Sequence, residues 1–104
     1  MSYVTVDPII HAWVVVNALT LFTEAGGGEA RFVYTSSDRG ECFQIAIGPP
    51  VAGQIVINLW SIETFQDEKL EEVLLSSVED LRDALDAALS KIDTWKARLF
   101  RRET

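Results

Sequence analysis

The clearest pattern of apolar and polar positions runs from Val78 to Leu99. Apolar side chains recur there at steps of three and four residues, at Val78, Leu81, Leu85, Ala88, Ile92, Trp95 and Leu99. Because a helix turns by about 100° per residue, these side chains share one face. The segment is therefore predicted to be an amphipathic helix that packs on one face of a sheet.

Two overlapping motifs mark the start of this helix. Ser76 is followed three residues later by Glu79, and the same spacing separates Ser77 from Asp80. Both pairs resemble a capping box, in which a serine hydroxyl accepts a hydrogen bond from an orphan backbone N–H. Glutamate is the more usual second member, which slightly favours Ser76. The helix is predicted to begin near Val78.

The middle of the chain alternates apolar and polar side chains with the period of two that is typical of strands. Segments 29–36 and 41–47 have this pattern, and a turn signal separates them. Segment 54–62 is apolar on both faces and is predicted to be an interior strand. Segment 70–76 is predicted to be a fourth strand, with an extra turn of helix as the alternative. Together they predict an antiparallel meander.

The first element is predicted to be a helix, because Asp7 followed by Pro8 is typical of a helix start. We expect it to run to about Glu24 and to stop at the three glycines 26–28. A strand over residues 9–16 is the alternative, since three consecutive valines end that segment. Apolar side chains lie almost all round the predicted helix, so we expect it to be heavily buried.

The length of 104 residues suits one domain with a modest core. The order of elements predicts an α+β fold over residues 1–104. It consists of an N-terminal helix, a four-stranded antiparallel meander, and a C-terminal amphipathic helix packed on one sheet face.

The formal net charge of −7 is concentrated in one part of the chain. Residues 62–86 hold nine acidic side chains against two basic ones, whereas residues 87–104 hold two acidic side chains against five basic ones. Acids at the start of the last helix and bases at its end complement the helix dipole. An acidic surface repels nucleic acid and anionic membranes and attracts basic proteins. We therefore expect neither a nucleic-acid nor a membrane partner.

Few side chains in the sequence could carry catalysis or hold a metal. The one histidine, His11, and the one cysteine, Cys42, both lie in apolar segments. We interpret them as packing residues rather than as a catalytic dyad. The carboxylates Asp80, Asp83 and Asp86 lie on the predicted solvent side of the last helix, where no pocket is expected. The sequence thus predicts no enzyme activity, no metal and no cofactor.

The cysteine content and the N-terminus also bear on the compartment. A single cysteine cannot form an internal disulfide, which favours a reducing environment. An acidic residue, Asp7, precedes the apolar N-terminal run, whereas a secretion signal requires positive charge there. A cytoplasmic protein is predicted.

One cluster of acidic residues is not explained by its contribution to helix stability. It lies before the last helix, and two aromatic residues bracket its start: Trp60, Glu63, Phe65, Asp67, Glu68, Glu71 and Glu72. Aromatic anchors ringed by charge are typical of protein interfaces. The alternative is an edge strand whose charges prevent stray pairing. These seven residues are the predicted partner-binding surface.

The short acidic chain and its closing segment, SSVEDLRDALDAALSKIDTW over residues 76–95, resemble the small immunity proteins that bacteria make against their own toxins. The resemblance is compositional and spans most of the chain. It implies a stoichiometric inhibitor, either monomer or homodimer, whose acidic face covers a basic toxin domain, often a nuclease.

Two other classes of protein fit the same sequence. One is a secretion-type chaperone, which is small, acidic and α+β and forms a dimer that holds an unfolded effector segment. The other is a small ligand-binding domain or enzyme subunit, whose apolar first helix would line a pocket near His11 or Cys42. The chaperone hypothesis predicts a homodimer, and the enzyme hypothesis predicts loss of activity when His11 or Cys42 is replaced.

Overall fold

The computed structural model describes residues 3–24, 30–38, 40–63 and 69–103. Within these ranges two helices and five strands follow one another in the order α-β-β-β-β-β-α. They are α1 (Asp7–Val16), β1 (Thr20–Glu24), β2 (Ala30–Ser36), β3 (Cys42–Ile47), β4 (Gln54–Glu63), β5 (Glu71–Ser77) and α2 (Leu81–Glu103). The predicted α+β class and the antiparallel meander are confirmed, but the sheet has five strands where four were predicted.

The additional strand comes from the segment predicted as the second half of the first helix. Residues 9–16 are helical as predicted, but α1 ends at Val16. Ala18 then adopts a left-handed backbone with φ 52°, which turns the chain back. The next five residues pair with β2, from Thr20 opposite Tyr34 to Glu24 opposite Ala30. The helix predicted to reach Glu24 is therefore wrong, and its predicted stop at residues 26–28 lies outside the described residues.

The five strands lie side by side in chain order, and every neighbouring pair is antiparallel. The turn between β3 and β4 shows how the chain reverses. Ala52 and Gly53 both have positive φ, at 51° and 78°, and backbone hydrogen bonds join Val51 and Gln54 in both directions. Two positive φ values in succession are typical of a type I′ turn, whose twist matches that of the flanking strands. β4 is an interior strand, as predicted.

Both helices pack against the same face of the sheet and bury the core there. The predicted apolar face of α2 is confirmed. Six of its side chains are at most 5% exposed, namely Leu81, Leu85, Ala88, Ile92, Trp95 and Leu99, and Val78 is half-buried. The ring of Trp95 packs against Phe43 with 6.2 Å between centroids. Lys96 Nζ donates to Thr35 Oγ1 at 3.0 Å, which fixes α2 over β2.

Helix α2 begins three residues later than predicted, at Leu81. The Asp80 N–H donates to Ser77 Oγ at 3.2 Å, whereas Ser76 Oγ donates to the Ser77 carbonyl at 2.8 Å. Ser77 rather than Ser76 thus supplies the cap. Strand β5 ends at Ser77, so the Ser77 side chain lies beside the turn that precedes the helix.

The start of α1 is joined to the sheet by a cluster of polar and aromatic side chains. Asp7 is the first residue of the helix rather than its cap, and its carboxylate accepts two hydrogen bonds from Arg31, at 2.8 and 3.1 Å. The Arg31 guanidinium lies 4.0 Å from the centre of the Tyr3 ring. The Tyr3 hydroxyl donates to the Ile47 carbonyl at 2.7 Å. The hydrogen bonds from Arg31 lower the pKa of Asp7.

Helix α1 is buried on one side only, which differs from the expectation of burial all round. Ile10, Trp13 and Val14 face the core. Trp13 also donates from Nε1 to Asp86 Oδ1 at 2.8 Å, which joins α1 to α2. Val15, in contrast, is 78% exposed. Helix α1 packs mainly against α2 and β1, and its outer side faces away from both. In the described ranges no helix combines the length and apolar character needed to span a membrane.

Candidate protein interface

No described helix or strand covers the sheet face opposite the two helices, and we call it the open face. Because side chains alternate along a strand, the residues between the core positions point to this face. The described side chains that form it are Thr20, Phe22, Phe32, Tyr34, Ser36, Cys42, Gln44, Ala46, Gln54, Val56, Asn58, Trp60, Ile62, Glu71, Val73, Leu75 and Ser77.

Large apolar side chains of the open face are exposed to solvent. Phe22 is 55% exposed, Val73 58% and Leu75 62%. The ring of Phe22 packs edge-on against Tyr34, with 5.1 Å between centroids, so the aromatic groups are already ordered. Soluble monomers rarely expose continuous apolar patches of more than a few hundred Å², and larger patches mark interaction sites. The open face has the character of a contact surface.

The open face is also poor in charge. Among its described side chains only Glu71 is ionisable at neutral pH, although the chain carries 16 acidic and 9 basic residues. The exposed acids of α2, such as Asp83 and Asp93, lie on the other side of the sheet. Depletion of charge with enrichment of aromatic side chains is the composition of an interface core. Among the described side chains, the open face thus combines exposed apolar surface with little charge, whereas the exposed acids of α2 lie on the helix side.

Two of the predicted partner-binding residues lie together on the open face. Trp60 in β4 pairs directly with Glu71 in β5 and, on its other side, with Gln44 in β3. Side chains opposite each other in an antiparallel pair have Cβ atoms about 5 Å apart. The half-buried Trp60 ring and the exposed Glu71 carboxylate are therefore neighbours at one end of the open face.

A third predicted residue, Glu72, lies on the helix side of the sheet instead. Its carboxylate is 3.5 Å from Lys91 Nζ of α2. The physical reason is the strand period: adjacent residues of β5 point to opposite faces, so Glu71 and Glu72 cannot share one surface. Glu63 ends β4 with its backbone paired to Cys42. The other predicted residues, Phe65, Asp67 and Glu68, lie outside the described residues.

The apolar members of the open face, among them Phe22, Val73 and Leu75, were not among the predicted site residues. Segment 54–62 held a partial signal for this face, because it carries apolar side chains at both alternating sets of positions, and helices on one side of a sheet can cover only one set. The second set is exposed unless another molecule covers it.

The residues considered for catalysis are not brought together. His11 is exposed on α1, whereas Cys42 lies on the open face, so the sheet separates them. The Cys42 thiol is 3.6 Å from the Gly40 carbonyl. Within the described ranges no group of three or more histidine, cysteine, aspartate or glutamate side chains is arranged to hold a metal ion. The carboxylates Asp80, Asp83 and Asp86 are exposed along α2.

An apolar groove of about 440 Å³ lies between α1 and the start of α2. Its lining includes Pro8, Ala12, Trp13, Val16, Val78 and Arg82. This groove is the feature that corresponds to the expected pocket beside the apolar first helix. It is open to solvent and is rimmed by one acid and one base, Glu79 and Arg82, so it has no strong charge preference.

The open face and the groove are the two surfaces from which a function can be inferred. The open face spans all five strands, whereas the groove lies between α1 and the start of α2. The open face also contains Trp60 and Glu71, the two residues of the predicted surface that lie side by side. No protein-family model, no curated protein and no solved structure matches the chain.

Proposed function

We propose that this chain is a non-enzymatic protein-binding domain that inhibits a basic protein by stoichiometric contact, as small bacterial immunity proteins do. The observation that carries the proposal is the pairing of Trp60 with Glu71 on an exposed, aromatic sheet face whose other described side chains are uncharged. An aromatic anchor beside a single carboxylate suits a partner that presents an apolar pocket next to a lysine or arginine.

The sheet prepares Trp60 for binding. Its ring is half-buried, and its strand is paired on both sides, with β3 and with β5. A side chain held on a rigid strand loses little conformational entropy when a partner covers it. Large aromatic residues in such positions often act as hot spots, whose truncation to alanine costs about 2 kcal/mol of binding free energy or more.

The charge of the chain supports a basic partner. A net charge of −7 creates a field that accelerates the encounter with a positively charged protein. Glu71 is exposed and lies beside the anchor, so it can bind a basic side chain at the rim of the contact. Rim charges mainly affect the association rate and its dependence on salt.

The first experiment is co-expression with the neighbouring gene. We expect that gene to be toxic when expressed alone and the toxicity to be relieved by this chain, because inhibition is stoichiometric. Toxicity that persists at equal expression of both chains would contradict the proposal.

The second experiment measures affinity for the same partner with three variants. Trp60→Ala should weaken binding at least about 30-fold, the equivalent of about 2 kcal/mol. Glu71→Lys should slow association, most strongly at low salt. Asp83→Lys is the matched control, because it makes the same change of charge on the exposed side of α2. If Asp83→Lys weakens binding and Trp60→Ala does not, the partner binds the helix side instead.

The exposure of Phe22, Val73 and Leu75 favours one further candidate, a secretion-type chaperone. Such a protein would hold an unfolded segment against apolar surface and would bind denatured or peptide forms of its partner. Comparing the affinity for the folded partner with that for peptides from it separates the two functions. An inhibitor binds only the folded protein.

A further inference from the structure

Besides a foreign partner, the open face fits a second copy of this chain. We infer that two chains form a symmetric homodimer by packing their open faces together, sheet on sheet, with the helices on the outside. The surface that carries this inference is the apolar strip, which we define as the large apolar side chains away from the Trp60 end of the open face. Its members are Phe22, Phe32, Val56, Val73 and Leu75.

The apolar strip spans the sheet, and Asn58 is the one polar side chain in its main row. The register places Phe22 opposite Phe32, Phe32 opposite Ala46, Ala46 opposite Asn58, and Asn58 opposite Val73. This row crosses all five strands. The next row adds Val56 opposite Leu75. Trp60 and Glu71 form the row on the opposite side of the Asn58–Val73 row, so they lie beside the strip rather than within it.

The area of the open face is sufficient for a weak dimer. With strands about 4.8 Å apart and about 3.3 Å per residue, five strands over the length of residues 54–60 cover roughly 400 Å² of flat area. Side-chain relief increases the accessible area, so two faces together bury on the order of 1,000 Å², close to the lower limit for stable complexes. We therefore expect a reversible dimer with a dissociation constant in the micromolar range.

Charge does not oppose a second copy in this arrangement. Helix α2 carries six basic and four acidic side chains, so the helices on the outside of the dimer are not acidic surfaces. Packed sheets lie about 10 Å apart, and this distance already exceeds the screening length at physiological salt, which is about 8 Å.

The shape of the apolar strip suits a two-fold axis parallel to the strands. Such an axis places β1 of one copy over β5 of the other, since the rotation reverses the order of the strands. The bulky ring of Phe22 then meets the smaller side chains Val73 and Leu75 of the second copy. The register places Glu71 in the same row as Thr20, so Glu71 of each copy faces Thr20 of the other copy and the two Glu71 carboxylates stay apart.

The test is sedimentation of the full chain over a range of concentration, from about 2 to about 200 µM, a window that brackets a micromolar dissociation constant. We expect the average mass to rise from that of one chain toward twice that value. Phe22→Asp and Val73→Asp should each weaken the dimer at least about tenfold, because a carboxylate would be buried without a partner. Val15→Asp is the matched control: it is the same substitution at a valine that is 78% exposed on α1.

The two substitutions distinguish face-to-face packing from pairing at one sheet edge, because Phe22 and Val73 lie on opposite outer strands. Loss of dimer with only one of them would indicate pairing at that edge and would overturn the proposal. A wild-type chain that stays monomeric over the whole range would overturn it too, as would a dimer that only Val15→Asp disrupts. Circular dichroism checks the fold of each variant, and Leu75→Gln, at a side chain 62% exposed, replaces Val73→Asp if that variant is unfolded.

This inference does not depend on the proposed function. The dimer is measured with the isolated chain, whereas inhibition is measured with the partner present. Either result can fail while the other holds.

Discussion

The placement of leucines on the two sides of the sheet can be tested with a pair of identical substitutions. Leu85 on α2 is fully buried, whereas Leu75 on β5 is 62% exposed on the open face. Leu85→Ala and Leu75→Ala remove the same atoms from the two environments. If the helices cover one face and leave the other open, the two variants must differ widely in the free energy of unfolding.

The expected difference follows from burial. Leu85→Ala loses about 2 kcal/mol of transfer free energy and leaves a cavity in a core that helix and sheet hold apart, for a total of about 3–4 kcal/mol. Leu75→Ala loses the transfer free energy of only the buried part of its side chain and leaves no enclosed cavity, for a total below about 1 kcal/mol. A domain of this size is stabilised by about 5–15 kcal/mol, so both variants should fold.

Urea unfolding followed by circular dichroism measures both values. The midpoint should fall strongly for Leu85→Ala with an unchanged slope, and the melting temperature should fall by about 12–20 °C. The measurement is made at about 1 µM or below, because a micromolar dimer would otherwise stabilise the wild type by mass action. Equal losses for the two variants would refute the assignment of an open face, and a loss below about 1 kcal/mol for Leu85→Ala would refute the predicted core face of α2.

Two further predictions concern the ends of the sheet. The pKa of Asp7 is lowered by its hydrogen bonds with Arg31, so the pair contributes stability that is full above the ordinary carboxyl pKa and is lost as the pH falls through the lowered value. Asp7→Asn should cost about 1 kcal/mol in urea unfolding at pH 7 and nothing at pH values below the lowered pKa; an equal cost at both would contradict this. Gly53→Ala should cost about 1 kcal/mol through its φ of 78°, since nothing lies within 4 Å of an added Cβ. Ala52→Gly, at φ 51°, relieves the same strain and should not destabilise the fold in the same assay.

The parts of the fold that the sequence predicted have strong periodic patterns. The apolar positions of α2 repeat over more than five turns, so small errors at its start did not change which face is buried. Strands β2 to β4 were predicted because turn signals separate segments with a period of two. Period and turns are local properties, and both are visible without knowledge of the tertiary structure.

Strand β1 could not be predicted in this way. The apolar run from residue 9 to residue 22 has no glycine or proline that separates a helix from a strand. The boundary depends on the left-handed backbone of Ala18 and on pairing with β2, and such pairing is a tertiary effect. Missing β1 also meant missing Phe22, which extends the open face to its far edge.

The sequence predicted the candidate site only in part, because the predicted surface groups residues by charge and does not separate side chains that point to opposite faces of a strand. Alternation alone separates Glu71 from Glu72, and the structure places one on the open face and the other beside Lys91. Trp60 and Glu71, two members of the predicted surface, pair directly across β4 and β5. That the face around them is uncovered follows from both helices packing on the same side of the sheet, which no local pattern indicates.

The small number of charges among the described side chains of the open face makes the two proposed interactions respond differently to salt. Binding of a basic partner depends on a net charge of −7 and on Glu71, so added salt should weaken it by slowing association. Self-association buries an apolar face between two chains that each carry a net charge of −7, so salt should leave it unchanged or strengthen it slightly by screening their repulsion. Raising the salt concentration should therefore shift the chain from partner-bound toward self-paired forms. The same salt dependence for both interactions would mean that they use one charged surface, which is incompatible with a dimer formed through the apolar strip.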